Sequence, residues 1–105
     1  MITVKIWHMR DAGRQAELRE DVFEVITGVC EIDKTKINFL PAHEMQWWGP
    51  KELIIVEISG ALPRDGRNLD IVRWRLENTL IHVIRRGWPA TWVKCFASLG
   101  SLATE

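Results

Sequence analysis

The two halves of the chain repeat one pattern of apolar and charged residues. A shift of 54 positions carries Arg10 onto Arg64 and Ile26 onto Leu80. Further pairs at the same spacing are Asp11 with Asp65, Arg19 with Arg73, Val22 with Leu76, and Val29 with Val83. Repetition at a fixed period indicates two copies of one supersecondary unit. The first strands of the two units align at a different spacing, so the connecting loops differ in length.

Within the first half, the apolar period changes from that of a strand to that of a helix. Apolar residues alternate from Ile2 to Ile6, and a period of two is typical of a strand. The apolar residues that follow share one helix face; they are Leu18, Val22, Val25, Ile26 and Val29. A second strand is predicted over 36–41, where Pro41 ends it.

The second half has the same order of elements. Residues 53–58 are almost wholly apolar, which is typical of a strand that is covered on both sides or lies at an interface. Asn68 is a good helix N-cap, and Gly87 is expected to end that helix. The apolar stripe between them is Leu69, Val72, Leu76, Leu80, Val83 and Ile84. A fourth strand is predicted over 91–98.

These elements predict one α+β domain over 1–105, with repeats at about 1–42 and 53–98. The expected architecture is a duplicated βαβ unit, with a four-stranded mixed sheet and two helices on one face. Periodicity alone also fits a ferredoxin-like sheet, in which the two units interleave. The equivalence of the halves favours parallel neighbours within each unit. The expected pairs are Ile2–Trp7 beside Lys36–Leu40, and Leu53–Ser59 beside Thr91–Ala97.

Charge and cysteine content exclude several classes of function. The chain has 14 Lys+Arg and 14 Asp+Glu, so no nucleic-acid or membrane partner is expected. No apolar run approaches the roughly 20 residues of a membrane span, and the first residues do not resemble a signal peptide. We expect a cytoplasmic protein.

Cys30 and Cys95 are expected to be buried free thiols, and no Cys/His spacing predicts a metal site.

Two stretches of the chain carry a resemblance to a known family; they are "CEIDKTKINFLPAHEMQWWG" and "LIIVEISGALPRDGRNLD". Both resemble the tautomerase superfamily, which includes oxalocrotonate tautomerase, macrophage migration inhibitory factor and the chloroacrylate dehalogenases. The resemblance covers essentially the whole chain and implies the repeated βαβ fold, a homotrimer and no cofactor. It also implies that Arg64 and Arg67 bind a substrate carboxylate, as the two arginines of the corresponding turn do in cis-type dehalogenases.

The sequence departs from that family at two positions that matter for catalysis. The family's base is an N-terminal proline, whereas Met1 is followed here by Ile2. A retained Met1 would offer a primary α-amino group with a pKa of roughly 7.7–8.0. The dehalogenases also carry a water-activating Glu in the last strand, where this chain has Ala97 and Ser98. The expected function is a small carboxylate-binding, isomerase-like protein; the alternative is a non-catalytic binding or structural trimer.

Other polar residues are weaker candidates. Arg64 and Arg67 lie in the stretch "PRDGR", which is either a solvated turn or an anion site at a helix start. Arg10 and Arg14 are interpreted as surface charges, although the repeat also permits that they form a second cationic cluster.

His8 is the better histidine candidate for a base, although it lies at the far end of the first strand. His82 on the second helix is expected to have a partly exposed structural role, and Lys36 and Lys94 are expected to extend to solvent from a partly buried sheet. The adjacent Trp47 and Trp48 are expected to pack against another subunit, or against their own domain.

Overall fold

The computed structural model of the protein describes residues 2–8, 14–40, 53–62, 68–89 and 91–101. Within these ranges the chain forms four strands, two α-helices and one turn of 3₁₀ helix. The elements are β1 Ile2–His8, α1 Gln15–Cys30, the 3₁₀ turn Lys34–Lys36, β2 Ile37–Phe39, β3 Leu53–Leu62, α2 Leu69–Gly87 and β4 Trp92–Ser101.

The four strands form one mixed sheet in the order β2-β1-β3-β4. β1 is parallel to β2, β3 is parallel to β4, and the central pair β1–β3 is antiparallel. The strands of each βαβ unit are therefore neighbours, as the sequence predicts, and the interleaved ferredoxin-like order is wrong. In the register of the central pair, Val4 lies opposite Ile58 and Lys5 opposite Glu57.

Both helices cover one face of this sheet and enclose the core. Alternation along β1 turns Ile2, Val4 and Ile6 toward the helices, where each is buried. Burial of such a side chain stabilises the fold by about 1.5–3 kcal/mol before the loss of chain entropy is counted. The other core residues are Leu18, Val22, Val25, Ile26, Cys30, Ile37, Ile54, Val56, Ile58, Leu62, Val72, Leu76, Leu80, Ile84, Trp88, Val93, Cys95 and Ala97.

The helix boundaries repeat at the spacing found in the sequence. α1 begins at Gln15 and α2 at Leu69, which are 54 positions apart. Asn68 caps α2 as predicted, because its side chain accepts hydrogen bonds from two amides of the first turn. α2 ends at Gly87, also as predicted. Within the described ranges, neither helix is long and apolar enough to cross a membrane.

The edge strands differ from their predicted lengths. β2 contains only three residues, because Lys34–Lys36 forms a 3₁₀ turn before it. Asp33 stabilises that turn by accepting a hydrogen bond from the Thr35 amide at 2.9 Å. This bond holds the pKa of the Asp33 carboxyl below its usual range. β4 is longer than predicted and extends to Ser101.

Candidate functional site

The three residues predicted to form a site, Met1, Arg64 and Arg67, lie outside the described residues. Their sequence neighbours are described. Ile2 begins β1, Leu62 ends β3 and Asn68 caps α2. The framework on which the predicted site depends can therefore be built from these flanking elements.

The start of β1 and the end of β3 lie side by side. Ile2 is opposite Gly60 in the antiparallel central pair, and Leu62 is the last residue of β3. β4 ends at the same level, with Ser101 beside Leu62. We call this end of the sheet the Ile2 end. α2 starts there too, since Asn68 follows Leu62 by six positions in the sequence.

The start of α2 is an ordered helix N-terminus. The Asn68 side-chain oxygen accepts from the amides of Asp70 at 3.0 Å and Ile71 at 3.3 Å. The cap satisfies these two donors but leaves the positive end of the helix dipole in place. An anion near this end of α2 is electrostatically favoured.

The sheet face opposite the helices carries a mixed polar and apolar surface. We call it the open face. It has a groove of about 430 Å³ near the Ile2 end. Thr3, Ser59 and Ser98 lie in one cross-strand row of this groove, because the register places them side by side. Sequence reasoning missed this row of hydroxyls, since only the strand pairing brings the three residues together.

A polar network holds the middle of the open face. The indole Nε1–H of Trp7 donates to Glu57 Oε1 at 2.8 Å. Lys5 Nζ lies 4.2 Å from the centre of the Trp7 ring, and Lys5 is opposite Glu57 across the strands. The Glu57 carboxylate is thus oriented by its neighbours on the open face. Its hydrogen bond to Trp7 explains a polar residue within the otherwise apolar stretch 53–58.

β4 has no carboxylate at the position where the resemblance to the dehalogenases would place the water-activating Glu. Ala97 turns toward the helices and is buried, whereas Ser98 is exposed and lines the open-face groove. The Ala97 amide donates to Glu77 Oε2 of α2 at 2.9 Å. Glu77 therefore binds the backbone of this edge strand from α2, whereas Glu57 of β3 lines the groove beside Ser98.

The cysteines are buried free thiols, as predicted. Burial, with a smaller contribution from the Glu77 charge, raises the pKa of the Cys95 thiol to about 12. The thiolate is the reactive form of cysteine, so Cys95 is a poor nucleophile at neutral pH. Among the described residues, no group of three or more His, Cys, Asp or Glu side chains is arranged to hold a metal ion.

The other candidates lie away from the Ile2 end, except Lys36, which directly precedes Ile37, the partner of Ile2 in β2. His8 is the last residue of β1, opposite Ile54, at the far end of the strand as expected. His82 and Lys94 are exposed on α2 and β4. Lys36 is exposed and belongs to the 3₁₀ turn instead of the predicted strand.

Arg14 lies partly at the surface, as the sequence suggests, but it also makes contacts within the fold. Its Nη1 donates to the Gly87 carbonyl at 3.1 Å, and its guanidinium lies over the Trp88 ring. It also forms two hydrogen bonds of 3.0 Å with Glu17, which lower the pKa of that carboxyl. Arg14 connects the start of α1 to the end of α2, and the repeat gave no signal of this contact.

Comparison with solved structures identifies the architecture. A macrophage migration inhibitory factor-like protein of Entamoeba histolytica superimposes with a TM-score of 0.67 at 9% identity, over 97% of this chain and 89% of that chain. A fused 4-OT symmetric trimer gives 0.65 at 16% identity, over 96% and 87%. The chain has the tautomerase-superfamily fold. No sequence-family model and no curated protein matches it.

A further structure with the tautomerase-superfamily fold bears on ligands. It is a malonate semialdehyde decarboxylase inhibited by 3-bromopropiolate. It superimposes with a TM-score of 0.62 at 12% identity, over 96% of this chain and 83% of that chain. At identities this low, the likeness shows a common tautomerase fold and does not transfer residue roles.

Proposed function

We propose that the protein binds a small carboxylate at the Ile2 end, through Arg64 and Arg67. The observation that supports this is the pairing of Ile2 with Gly60. Met1 directly precedes Ile2, and Arg64 follows Gly60 by four positions. We infer from this connectivity that both residues lie near the Ile2 end, and that a ligand bound by the arginines is close to the first residue.

The chemistry of this stretch suits a carboxylate. Guanidinium groups bind carboxylates through paired hydrogen bonds, and Arg67 directly precedes the Asn68 cap at the positive end of α2. Asp65 competes for the arginines, but an exposed ion pair contributes only about 0–1 kcal/mol. A ligand with better geometry displaces it. The 3-bromopropiolate that inhibits a decarboxylase of this fold is also a small carboxylate.

Catalysis by the protein is proposed to be weak or absent. The candidate base is the α-amino group of Met1. That group is free only if the mature chain begins at Met1, and the intact mass of the protein shows whether it does. A primary amine takes the place of the proline nitrogen, and Ser98 and Ala97 replace an activating carboxylate. Any activity is of the isomerase type. Enol–keto tautomerisation of phenylpyruvate-like acids should be barely detectable, and robust turnover that acetylation of Met1 abolishes would contradict this.

The second candidate function is that of a non-catalytic homotrimer. The open face favours an assembly, because Phe96 is 55% exposed there, Leu40 40% and Trp92 39%. Exposed apolar side chains on one face are typical of an interface. The fused 4-OT structures are trimers. The proposed trimer is compatible with either function.

We also propose a cytoplasmic location, because free thiols such as the two buried cysteines are typical of reducing compartments.

Calorimetry with small dicarboxylates tests the binding proposal. The wild type should bind, and the double variant Arg64→Ala/Arg67→Ala should not. Arg85→Ala/Arg86→Ala is the matched control, because it removes the same two charges from the opposite end of α2. Loss of binding in the first variant alone supports the site. Equal binding in all three proteins, or no binding in any, would leave the structural trimer as the better interpretation.

A further inference from the structure

The two edges of the sheet that the described residues form differ in length. β2, at one edge, contains three residues, whereas β4, at the other, contains ten. An edge strand presents backbone N–H and C=O groups that a strand of another chain is able to pair with. The short β2 offers few such groups. β4 is long enough that its edge has to be covered or blocked if the chain is not to pair through it.

The composition of β4 favours such pairing. Three of its side chains are buried in the core, and Trp92 and Phe96 are large apolar residues that are exposed. Lys94 is the one charged residue in the sequence of this strand, which contains no proline. Apolar strands of low charge without proline are typical of segments that associate edge to edge.

The Ala97 amide points to the outer edge of β4. It donates to a side chain of α2 and not to the neighbouring strand β3. The N–H and C=O groups of one strand residue point to the same side, and every second residue repeats that direction. Cys95 and Leu99 therefore present their backbone groups to the same edge, on either side of Ala97. These three residues are the ones that an incoming strand would pair with.

Glu77 occupies the middle of this edge. Its Oε2 accepts the hydrogen bond of the Ala97 amide at 2.9 Å, in a part-buried position. An incoming strand would place a carbonyl oxygen at the same distance from that amide, so the carboxylate and the strand exclude each other. A hydrogen bond to an ionised acceptor is about twice as strong as one between neutral groups. The buried Leu76 and Leu80 hold this part of α2 on the sheet, so the carboxylate is kept in place.

We propose that Glu77 keeps the β4 edge closed to a second copy of this chain. When the carboxylate is removed, two β4 strands pair antiparallel about a twofold axis at Ala97. The Ala97 amide of each copy then donates to the Ala97 carbonyl of the other, and Cys95 lies opposite Leu99. Assembly of the wild type is thereby confined to other surfaces, such as the open face. The closure is independent of carboxylate binding at the Ile2 end.

Light scattering over a range of protein concentrations tests the closure. Glu77→Ala should associate, with a mean mass that rises with concentration to about twice the wild-type mass or more, whereas the wild type should keep one mass. Glu77→Gln is the matched control, because it removes the same charge but keeps an acceptor oxygen. Its mass should equal that of the wild type. Circular dichroism at the same concentrations shows that folded proteins are being compared.

A double variant tests whether the association runs through Ala97. Glu77→Ala/Ala97→Pro has no N–H at this position, and an edge strand accepts proline where the N–H faces outward. It should keep the wild-type mass at every concentration. Hydrogen exchange follows the same amide in Glu77→Ala. Exchange of Ala97 should be fast at low concentration, where the edge is free, and slow at high concentration, where a second strand covers it.

The wild type supplies a measurement that needs no variant, since its Ala97 amide should exchange at the same rate at every protein concentration. Exchange that slows as the concentration rises would overturn the proposal, because a second copy would then cover the edge despite Glu77. A folded Glu77→Ala protein that keeps the wild-type mass would also overturn it. So would association that Glu77→Gln shares, or that Ala97→Pro leaves intact.

Discussion

The guanidinium carbon of Arg14 lies 4.2 Å from the centre of the Trp88 ring. This contact joins the residue before α1 to the residue after α2, which are 74 positions apart. Trp88 is buried, and its indole N–H has no hydrogen-bond acceptor among the residues that the structure describes. The ring is therefore held by packing and by the cation above it, which leaves this helix junction sensitive to changes at Arg14.

Arg14→Ala should destabilise the protein by about 1–2 kcal/mol, because it removes a cation–π contact and the hydrogen bond to Gly87. Arg14→Lys should recover only part of this loss, since an ammonium lacks the planar fork that bonds Glu17 and Gly87 together. Urea unfolding followed by tryptophan fluorescence, at one protein concentration, gives the difference. Arg85→Ala, at an exposed position of α2, is the control. Equal stability of Arg14→Ala and the control would show that the junction does not depend on this contact.

The sequence predicts most of the fold because local periodicity carries it. The helices start 54 positions apart, and the Asn68 cap is visible as a residue type before an apolar stripe. Strand lengths were less predictable, since an edge strand ends where pairing stops. β2 is shortened by a 3₁₀ turn that depends on the Asp33–Thr35 bond. The order of the strands came from the equivalence of the halves, because periodicity alone fits two topologies.

Contacts between distant residues could not be predicted in the same way. The Thr3, Ser59 and Ser98 row exists only in the observed register. The bond between Glu77 and the Ala97 amide depends on which backbone groups of the edge strand point away from β3. The predicted site residues Met1, Arg64 and Arg67 lie outside the described residues and stay predictions. The exposure of Ile71 and Trp74 also required the structure, since both lie in an apolar-rich helix sequence.

Glu77→Ala should destabilise the protein by about 1–3 kcal/mol, because it leaves the part-buried Ala97 amide without its acceptor. Glu77→Gln keeps an acceptor oxygen and should cost much less. Amide hydrogen exchange gives a local measurement, with faster exchange expected at Ala97 in Glu77→Ala and near wild-type exchange in Glu77→Gln. Unchanged protection of Ala97 in both variants would mean that the side chain does not cover this edge of the sheet.

Asn68→Ala should cost about 1 kcal/mol of stability, since it removes the side-chain acceptor for the Asp70 and Ile71 amides. Asn68→Asp retains the acceptor and adds a negative charge at the positive end of α2, so it should be neutral or slightly stabilising. The same charge next to Arg67 should weaken the proposed carboxylate binding. Thermal unfolding and calorimetry measure the two effects separately, and carboxylate binding that is indifferent to Asn68→Asp would count against a site at this helix end.

The stability of the protein should fall in alkaline solution because of Cys95. Burial, then the Glu77 charge, raises the pKa of this thiol to about 12 in the folded protein. In the unfolded chain a cysteine has its ordinary pKa of about 8.5. The folded state therefore retains a proton that the unfolded state releases. The contribution of Cys95 is complete below about pH 8.5 and is lost as the pH rises toward the folded pKa.

Comparison of the wild type with Cys95→Ala isolates this effect. Above pH 9 the free energy of unfolding of the wild type should fall faster, by up to about 1.4 kcal/mol per pH unit. Lysine titration acts on both proteins and cancels in the difference, and the chain has no tyrosine to add a further step. Glu77→Gln should slightly lower the pH at which the two profiles become parallel again, because the Glu77 charge is the smaller of the two causes that raise the pKa of Cys95. Parallel pH profiles of the wild type and Cys95→Ala would show that this thiol ionises as readily in the folded protein as in the unfolded chain.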